Sequence, residues 1–144
     1  MKAFFYAVLL TALLTGCGTS QPPTPTLKVD DKTVPVVLHG YSWSGGLFTK
    51  STSVAPVDTP PKVAEKNKPA EAPSKAKLSI NFKNPPQSLQ VELWNGNETR
   101  KIPLTDTNSI VLPKEKGVFV YQILAQWENG MASYVFAIEV SDKR

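Results

Sequence analysis

The feature that most constrains the fold of this 144-residue chain is an alternation of apolar and polar residues between Leu78 and Val140. An apolar residue at every second position is typical of a strand with one buried face. This pattern predicts four strands and, between two prolines, a shorter fifth one: 78–82, 89–94, 118–127, 132–140 and 109–112.

The residues between these segments favour tight antiparallel turns. Asn95-Gly96 follows the second segment and Asn129-Gly130 separates the last two. Asn-Gly supplies the positive φ angles of two-residue hairpin turns. Because the rest of the chain shows no capped 3.6-residue repeat, we expect an all-β, antiparallel sandwich.

A family resemblance narrows this expectation. The run from Gly117 to Tyr121, then Trp127, the Asn129-Gly130 turn and the run from Tyr134 to Ile138 resemble the last two strands of an immunoglobulin-like domain. The resemblance implies an immunoglobulin-like β-sandwich, which we assign to residues 33–144. We expect its first strand at Val34–Leu38, with His39-Gly40 as a bend.

Residues 58–77 are rich in Pro, Lys and Ala, a composition typical of a linker. By composition alone we expect a solvated connection there.

The first 16 residues have the pattern of an export signal, in which Lys2 precedes an uncharged apolar run from Ala3 to Gly16. The run is too short for a comfortable membrane-spanning helix. Residues 17–32 contain much Pro and Thr, which predicts a flexible tether.

Leu14-Thr15-Gly16-Cys17 resembles a bacterial lipobox, in which the cysteine receives a diacylglyceryl group and becomes the mature N-terminus. Two acyl chains anchor a protein stably. Cys17 is the only cysteine, so it leaves no partner for an internal disulfide. We expect a lipid-anchored protein on the extracytoplasmic face of the cell membrane.

The resemblance extends to small uncharacterised lipoproteins of Gram-positive bacteria. The residues that carry it are the lipobox, Gly40-Tyr41-Ser42-Trp43, Phe82 with Pro85-Pro86, and the tail from Gly117 to Val140. This likeness implies no activity. It implies that residues 58–77 contain a short ordered connection with an edge strand, so we expect this connection to be partly ordered.

The stretch Val34–Gly46 resembles the oxyanion loop of an α/β-hydrolase. That fold requires a parallel sheet with helices, and a Gly-x-Ser-x-Gly motif is missing. His39 is the only histidine, and no metal-ligand spacing surrounds it. We therefore expect no enzyme, metal or cofactor. The formal charge of +4 is too small to indicate a nucleic-acid partner.

Three aromatic residues are the candidate ligand platform: Tyr41, Trp43 and Trp94. Core packing is the alternative for Tyr41 and Trp43. We expect a non-catalytic binding or accessory module whose partner is a cell-wall polymer or an envelope protein. The alternatives are a structural subunit or assembly factor of an envelope complex and a small envelope hydrolase.

Overall fold

The computed structural model of the chain describes residues 21–45, 50–105 and 107–142, which form two β-sheets and one short helix. The smaller sheet has four antiparallel strands. Their spatial order is Lys32–Val34 (β2), Thr26–Val29 (β1), Lys77–Asn81 (β6) and Ser109–Val111 (β9).

The larger sheet has six antiparallel strands and a short parallel addition. The antiparallel order is Lys50–Val54 (β4), Val37–Gly45 (β3), Gly130–Val140 (β11), Gly117–Trp127 (β10), Ser88–Asn95 (β7) and Glu98–Ile102 (β8). Ala70–Ala72 (β5) pairs in parallel with the end of β11. The two sheets pack as a sandwich, so the predicted all-β class is confirmed, and the architecture is consistent with an immunoglobulin-like fold.

The five strands predicted from alternation correspond to β6, β7, β9, β10 and β11. The two predicted hairpins are also present, with each turn displaced by one residue. Asn95 pairs with Glu98, so Gly96 and Asn97 form the first turn, and Gly96 has a φ of 61°. Trp127 pairs with Gly130, so Glu128 and Asn129 form the second turn.

The core lies between the two sheets and is built by the apolar phase of the alternation. Its buried side chains include Leu27, Leu78, Ile80 and Ile110 from the smaller sheet, and Val91, Ile123, Tyr134 and Ile138 from the larger one. Trp127 organises one end of the core. Its ring centroid lies 5.4 Å from that of Trp43 and 5.1 Å from that of Phe82, both in edge-to-face geometry, which is a favourable arrangement of aromatic rings.

The predicted tether over residues 17–32 is wrong for its second half. Strands β1 and β2 form a hairpin that begins at Thr26, and Leu27 within it is completely buried. Asp30 makes the turn with a φ of 53°, which Asp tolerates better than most residues. The hairpin is ordered because β1 pairs with β6 and contributes Leu27 and Val29 to the core.

The predicted first strand at Val34–Leu38 is also wrong, because this stretch contains a change of sheet. Val34 ends β2 in the smaller sheet, and β3 in the larger sheet begins at Val37. Pro35 lies between them and cannot donate a ladder hydrogen bond. An apolar alternation thus continues through two strands that belong to different sheets.

His39-Gly40 is not a bend but a β-bulge inside β3. Ser133 of β11 pairs with Gly40 and Tyr134 pairs with Leu38, so His39 is the extra residue. A bulge places two residues of one strand opposite a single residue of its partner. His39 and Gly40 therefore share the position opposite Ser133.

The Pro-rich connection over 58–77 contains a helix, Pro60–Glu65 (α1), and the edge strand β5. Pro60 at the first helical position suits the start of a helix. Helix α1 packs over β10 and β11 on the face of the larger sheet that points away from the core. Val135, whose side chain is on this outer face, is consequently only 1% exposed.

Candidate functional site

The three aromatic residues of the predicted platform are not brought together. Tyr41 and Trp43 pack on the inner face of the larger sheet, where Trp43 is 7% exposed and contacts Trp127. Trp94 lies on the opposite face, paired with Val120. The structure thus places Trp43 in the core and Tyr41, which is half-buried, against it, so core packing was the better expectation for both. Tyr41 also contributes to the lining of the groove described below.

Trp94 has the outward phase that its sequence position indicated, and it is half-buried. Its indole Nε1–H donates a hydrogen bond of 3.0 Å to Oε1 of Gln122 on the neighbouring strand. This bond fixes the ring against β10, so Trp94 is an ordered part of the outer face. Cys17, the predicted lipidation site, lies outside the described residues.

The outer face of the larger sheet carries an open groove of about 450 Å³. Two rows of paired residues form its floor across β11, β10 and β7: Ser133, Leu124 and Gln90 in one, and Met131, Gln126 and Ser88 in the other. Ser42 continues the second row onto β3. Val54 and Pro56 form a wall at the end of β4.

The bulge in β3 shapes this groove. A Cβ atom on Gly40 would lie 2.9 Å from Cδ of Pro56 and 3.1 Å from the carbonyl oxygen of Val54. Only a residue without a side chain lets the wall segment approach the sheet this closely. Gly40 therefore allows Pro56 to stand directly beside the floor.

His39 fixes the hydrogen-bond direction of a groove residue. Its Nε2 lies 2.7 Å from the backbone carbonyl oxygen of Asp58, and its Nδ1 lies 3.1 Å from Oγ of Ser133. A carbonyl oxygen only accepts, so Nε2 carries the proton, and Nδ1 of the neutral ring is an acceptor. Ser133 consequently donates its hydroxyl proton to His39 and presents oxygen lone pairs to the groove.

Asp58, whose backbone carbonyl contacts His39, also forms an ion pair with Lys66. Nζ of Lys66 is 2.6 Å from Oδ2 of Asp58. The hydrogen bond and the charge of Lys66 hold the pKa of the Asp58 carboxyl below its usual value. The pair links the end of α1 to the segment that His39 binds through the Asp58 carbonyl.

Two further hydrogen bonds orient polar side chains of the groove. Oγ of Ser53 donates to Oγ of Ser42 over 3.2 Å, so the Ser42 hydroxyl can donate to a ligand. Nε2 of Gln90 donates to Oε1 of Glu92 over 2.9 Å, which leaves the Gln90 carbonyl oxygen as an acceptor. Within residues 21–45, 50–105 and 107–142, every residue that lines the groove is uncharged.

The described part of the chain contains no group of three or more acidic, His or Cys side chains placed to hold a metal ion. Within the same ranges, no helix is both long enough and apolar enough to cross a membrane. No protein-family model, curated protein or solved structure matches this chain.

Sequence reasoning missed the groove because its members are dispersed. His39 and Ser133 are 94 residues apart, and only the pairing of β3 with β11 joins them. The available signal was the polar phase of the predicted strands: Gln90, Gln126 and Ser133 occupy the positions that alternation assigns to the face away from the core.

Proposed function

We propose that this chain is a lipid-anchored, extracytoplasmic protein of the cell envelope whose β-sandwich is a non-catalytic binding module. The observation that carries the binding role is the groove on the outer face of the larger sheet. It is concave and lined by apolar and oriented polar groups, which are the general properties of a ligand site. The export signal and the lipobox at Cys17 support the location.

The fold supports a short connection between the lipid and the module. The Tyr134 hydroxyl donates a hydrogen bond of 2.5 Å to the carbonyl oxygen of Pro23, so the folded domain begins near that residue. At no more than about 3.6 Å per residue, the chain between Cys17 and Pro23 spans at most about 22 Å. An anchored module would remain close to the membrane.

The anchor is tested by metabolic labelling with a fatty-acid analogue. We expect the wild-type protein to carry the label and Cys17→Ser to lose it. Wild-type protein that fractionates with the envelope but carries no label would contradict the lipid anchor.

The binding role is tested by pull-down on purified cell envelopes with a groove variant and a matched surface variant. Leu124→Arg places a long charged side chain on the groove floor, and we expect it to abolish binding. Val111→Arg makes the same kind of change at a residue of the smaller sheet that is 56% exposed, and we expect wild-type binding. Equal binding by the two variants would refute a role for the groove.

One observation favours a second candidate function, a small envelope hydrolase. A serine that donates to a histidine, whose other nitrogen is held by a third group, is the arrangement that activates a nucleophile. Ser133, His39 and the Asp58 carbonyl have this arrangement. Covalent labelling by a fluorophosphonate that Ser133→Ala abolishes would support the hydrolase, whereas an unlabelled wild type would leave the binding module.

A further inference from the structure

Resting on the proposed binding role, we propose that the ligand of the groove is an uncharged polysaccharide and that Ser133, oriented by His39, accepts a hydrogen bond from one of its hydroxyl groups. Four properties of the groove select this class of ligand. They are its charge, the state of its backbone, the direction of its hydrogen bonds and its apolar floor.

The first property is charge. Phosphate and carboxylate polymers are recognised by Lys and Arg through charge-assisted hydrogen bonds, and cationic ligands are commonly bound by carboxylates. The described residues that line the groove include no Lys, Arg, Asp or Glu. Glu92 is the nearest acidic side chain along β7, and it accepts a hydrogen bond from Gln90 rather than lining the groove. The lining favours a ligand without net charge.

The second property is that the floor is a sheet face and not a sheet edge. Extended peptides obtain much of their affinity by adding a strand to a free edge through main-chain hydrogen bonds. The central floor strands β10 and β11 are each paired on both sides, with β7 and β3 as the outer neighbours. The pairing of β7 with β8 covers Val91–Asn95 and does not extend to the floor residues Ser88 and Gln90. A ligand over β10 and β11 therefore meets side-chain hydroxyl and amide groups, which suits a polyhydroxylated chain better than a peptide.

The third property is an ordered set of donors and acceptors. Ser133 presents lone pairs because its proton is directed to His39, and Gln90 presents its carbonyl oxygen. Ser42 can donate because it accepts from Ser53. A sugar hydroxyl both donates and accepts, so neighbouring hydroxyl groups on a ring can satisfy donors and acceptors that lie side by side.

The fourth property is an apolar strip between these polar groups. Leu124 is half-buried on the floor, and Met131 is 55% exposed beside it. The C–H face of a sugar ring is apolar, so it can cover this strip while the ring hydroxyls reach the serines and the glutamine. Burial of such a strip together with fixed polar contacts gives both affinity and orientation.

Affinity electrophoresis tests the ligand class. Native gels are cast with a neutral polysaccharide (dextran, mannan or a soluble β-glucan) or with a polyanion (polyglycerol phosphate or polygalacturonate). We expect at least one neutral polymer to retard the wild-type protein and neither polyanion to do so. Ser133→Ala should weaken the retardation about 3- to 10-fold, the effect of one lost hydrogen bond. Ser79→Ala, the same change on the smaller sheet, should have no effect.

The role of His39 as a positioning residue has its own readout. His39→Gln keeps an N–H at the end of the side chain that can donate to the Asp58 carbonyl, but it has a carbon atom in place of Nδ1 and so lacks the acceptor that contacts Ser133. His39→Gln should weaken retardation by a neutral polymer about as much as Ser133→Ala, and the double variant should lose no more than either single variant, because both changes remove the same hydrogen bond. Losses that add in the double variant, or wild-type retardation of His39→Gln, would overturn the role of His39.

The outcomes separate this inference from the proposed function. Retardation by a polyanion alone, or by no polymer, would overturn the inference even if Leu124→Arg abolishes envelope binding. Envelope binding that is lost after protease digestion of the envelopes would also overturn it, because the ligand would then be a protein. Wild-type envelope binding by Leu124→Arg would instead refute the proposed function itself.

Discussion

Replacement of Leu27 by Ala should destabilise the whole domain, because the structure makes this residue part of the core rather than of a tether. Leu27 is completely buried and pairs with Ile80 on one side and Val34 on the other. Truncation of a buried leucine costs the transfer free energy of the lost atoms and the energy of the remaining cavity, together about 3 kcal/mol. With a urea m-value of about 1.5 kcal/mol/M, the midpoint of unfolding should fall by about 2 M.

The matched control is the next residue on the same strand. Lys28 is exposed on the outer face of β1, so Lys28→Ala should change the free energy of unfolding by less than about 0.5 kcal/mol. Urea unfolding followed by tryptophan fluorescence measures both variants, since Trp43 and Trp127 are buried. Equal midpoints for Leu27→Ala and Lys28→Ala would refute the assignment of this segment to the core.

Three further predictions concern the larger sheet. Burial raises the pKa of Tyr121 to about 12 from 10. The folded state thus resists ionisation, and the free energy of unfolding should fall by about 2 to 3 kcal/mol as the pH rises from 10 to 12. Tyr121→Phe should remove this part of the stability loss, which urea titrations measure as the difference in the free energy of unfolding between pH 9 and pH 12. A difference equal to that of the wild type would contradict the prediction. Gly130→Ala would place a Cβ 2.0 Å from the Ser42 carbonyl oxygen, so it should cost at least about 2 kcal/mol. Gly96→Ala has open space around it and should cost about 1 kcal/mol for its positive φ alone, which thermal unfolding can compare. Trp94→Ala should weaken envelope binding less than Leu124→Arg does, because Trp94 lies outside the groove lining. An equal loss of binding in the pull-down would instead make Trp94 part of the binding site.

Alternation predicted the long strands well because each one has a buried face and a solvated face. It failed for β1, in which Leu27 and Val29 are only two apolar residues within a Pro- and Thr-rich stretch. Their burial depends on pairing with β6, about 50 residues away, and local composition carries no information on that contact. Strand β4, Lys50–Val54, was missed for a related reason: its serines and threonine lie on an edge and show no apolar period.

The candidate site could be predicted only in part. The outward phase of Trp94 follows from its own strand, and its hydrogen bond to Gln122 agrees with that phase. Tyr41 and Trp43 also share a face, as their spacing requires, but that face is the core, because β3 lies between β4 and β11 with its aromatic side against Trp127. Which face of a strand is buried depends on the partner sheet, and short sequence patterns do not encode it.

The bulge at His39-Gly40 connects the fold to the proposed site. Because β3 has one extra residue, His39 and Gly40 both lie opposite Ser133, and the two residues have different roles. His39 reaches across to orient the Ser133 hydroxyl and back to hold the Asp58 carbonyl, whereas Gly40 leaves the space in which Pro56 forms the wall. A regular strand would offer only one of these positions on the outer face, so it could not both orient Ser133 and admit Pro56. The groove therefore depends on the irregularity of β3 more than on any single lining residue.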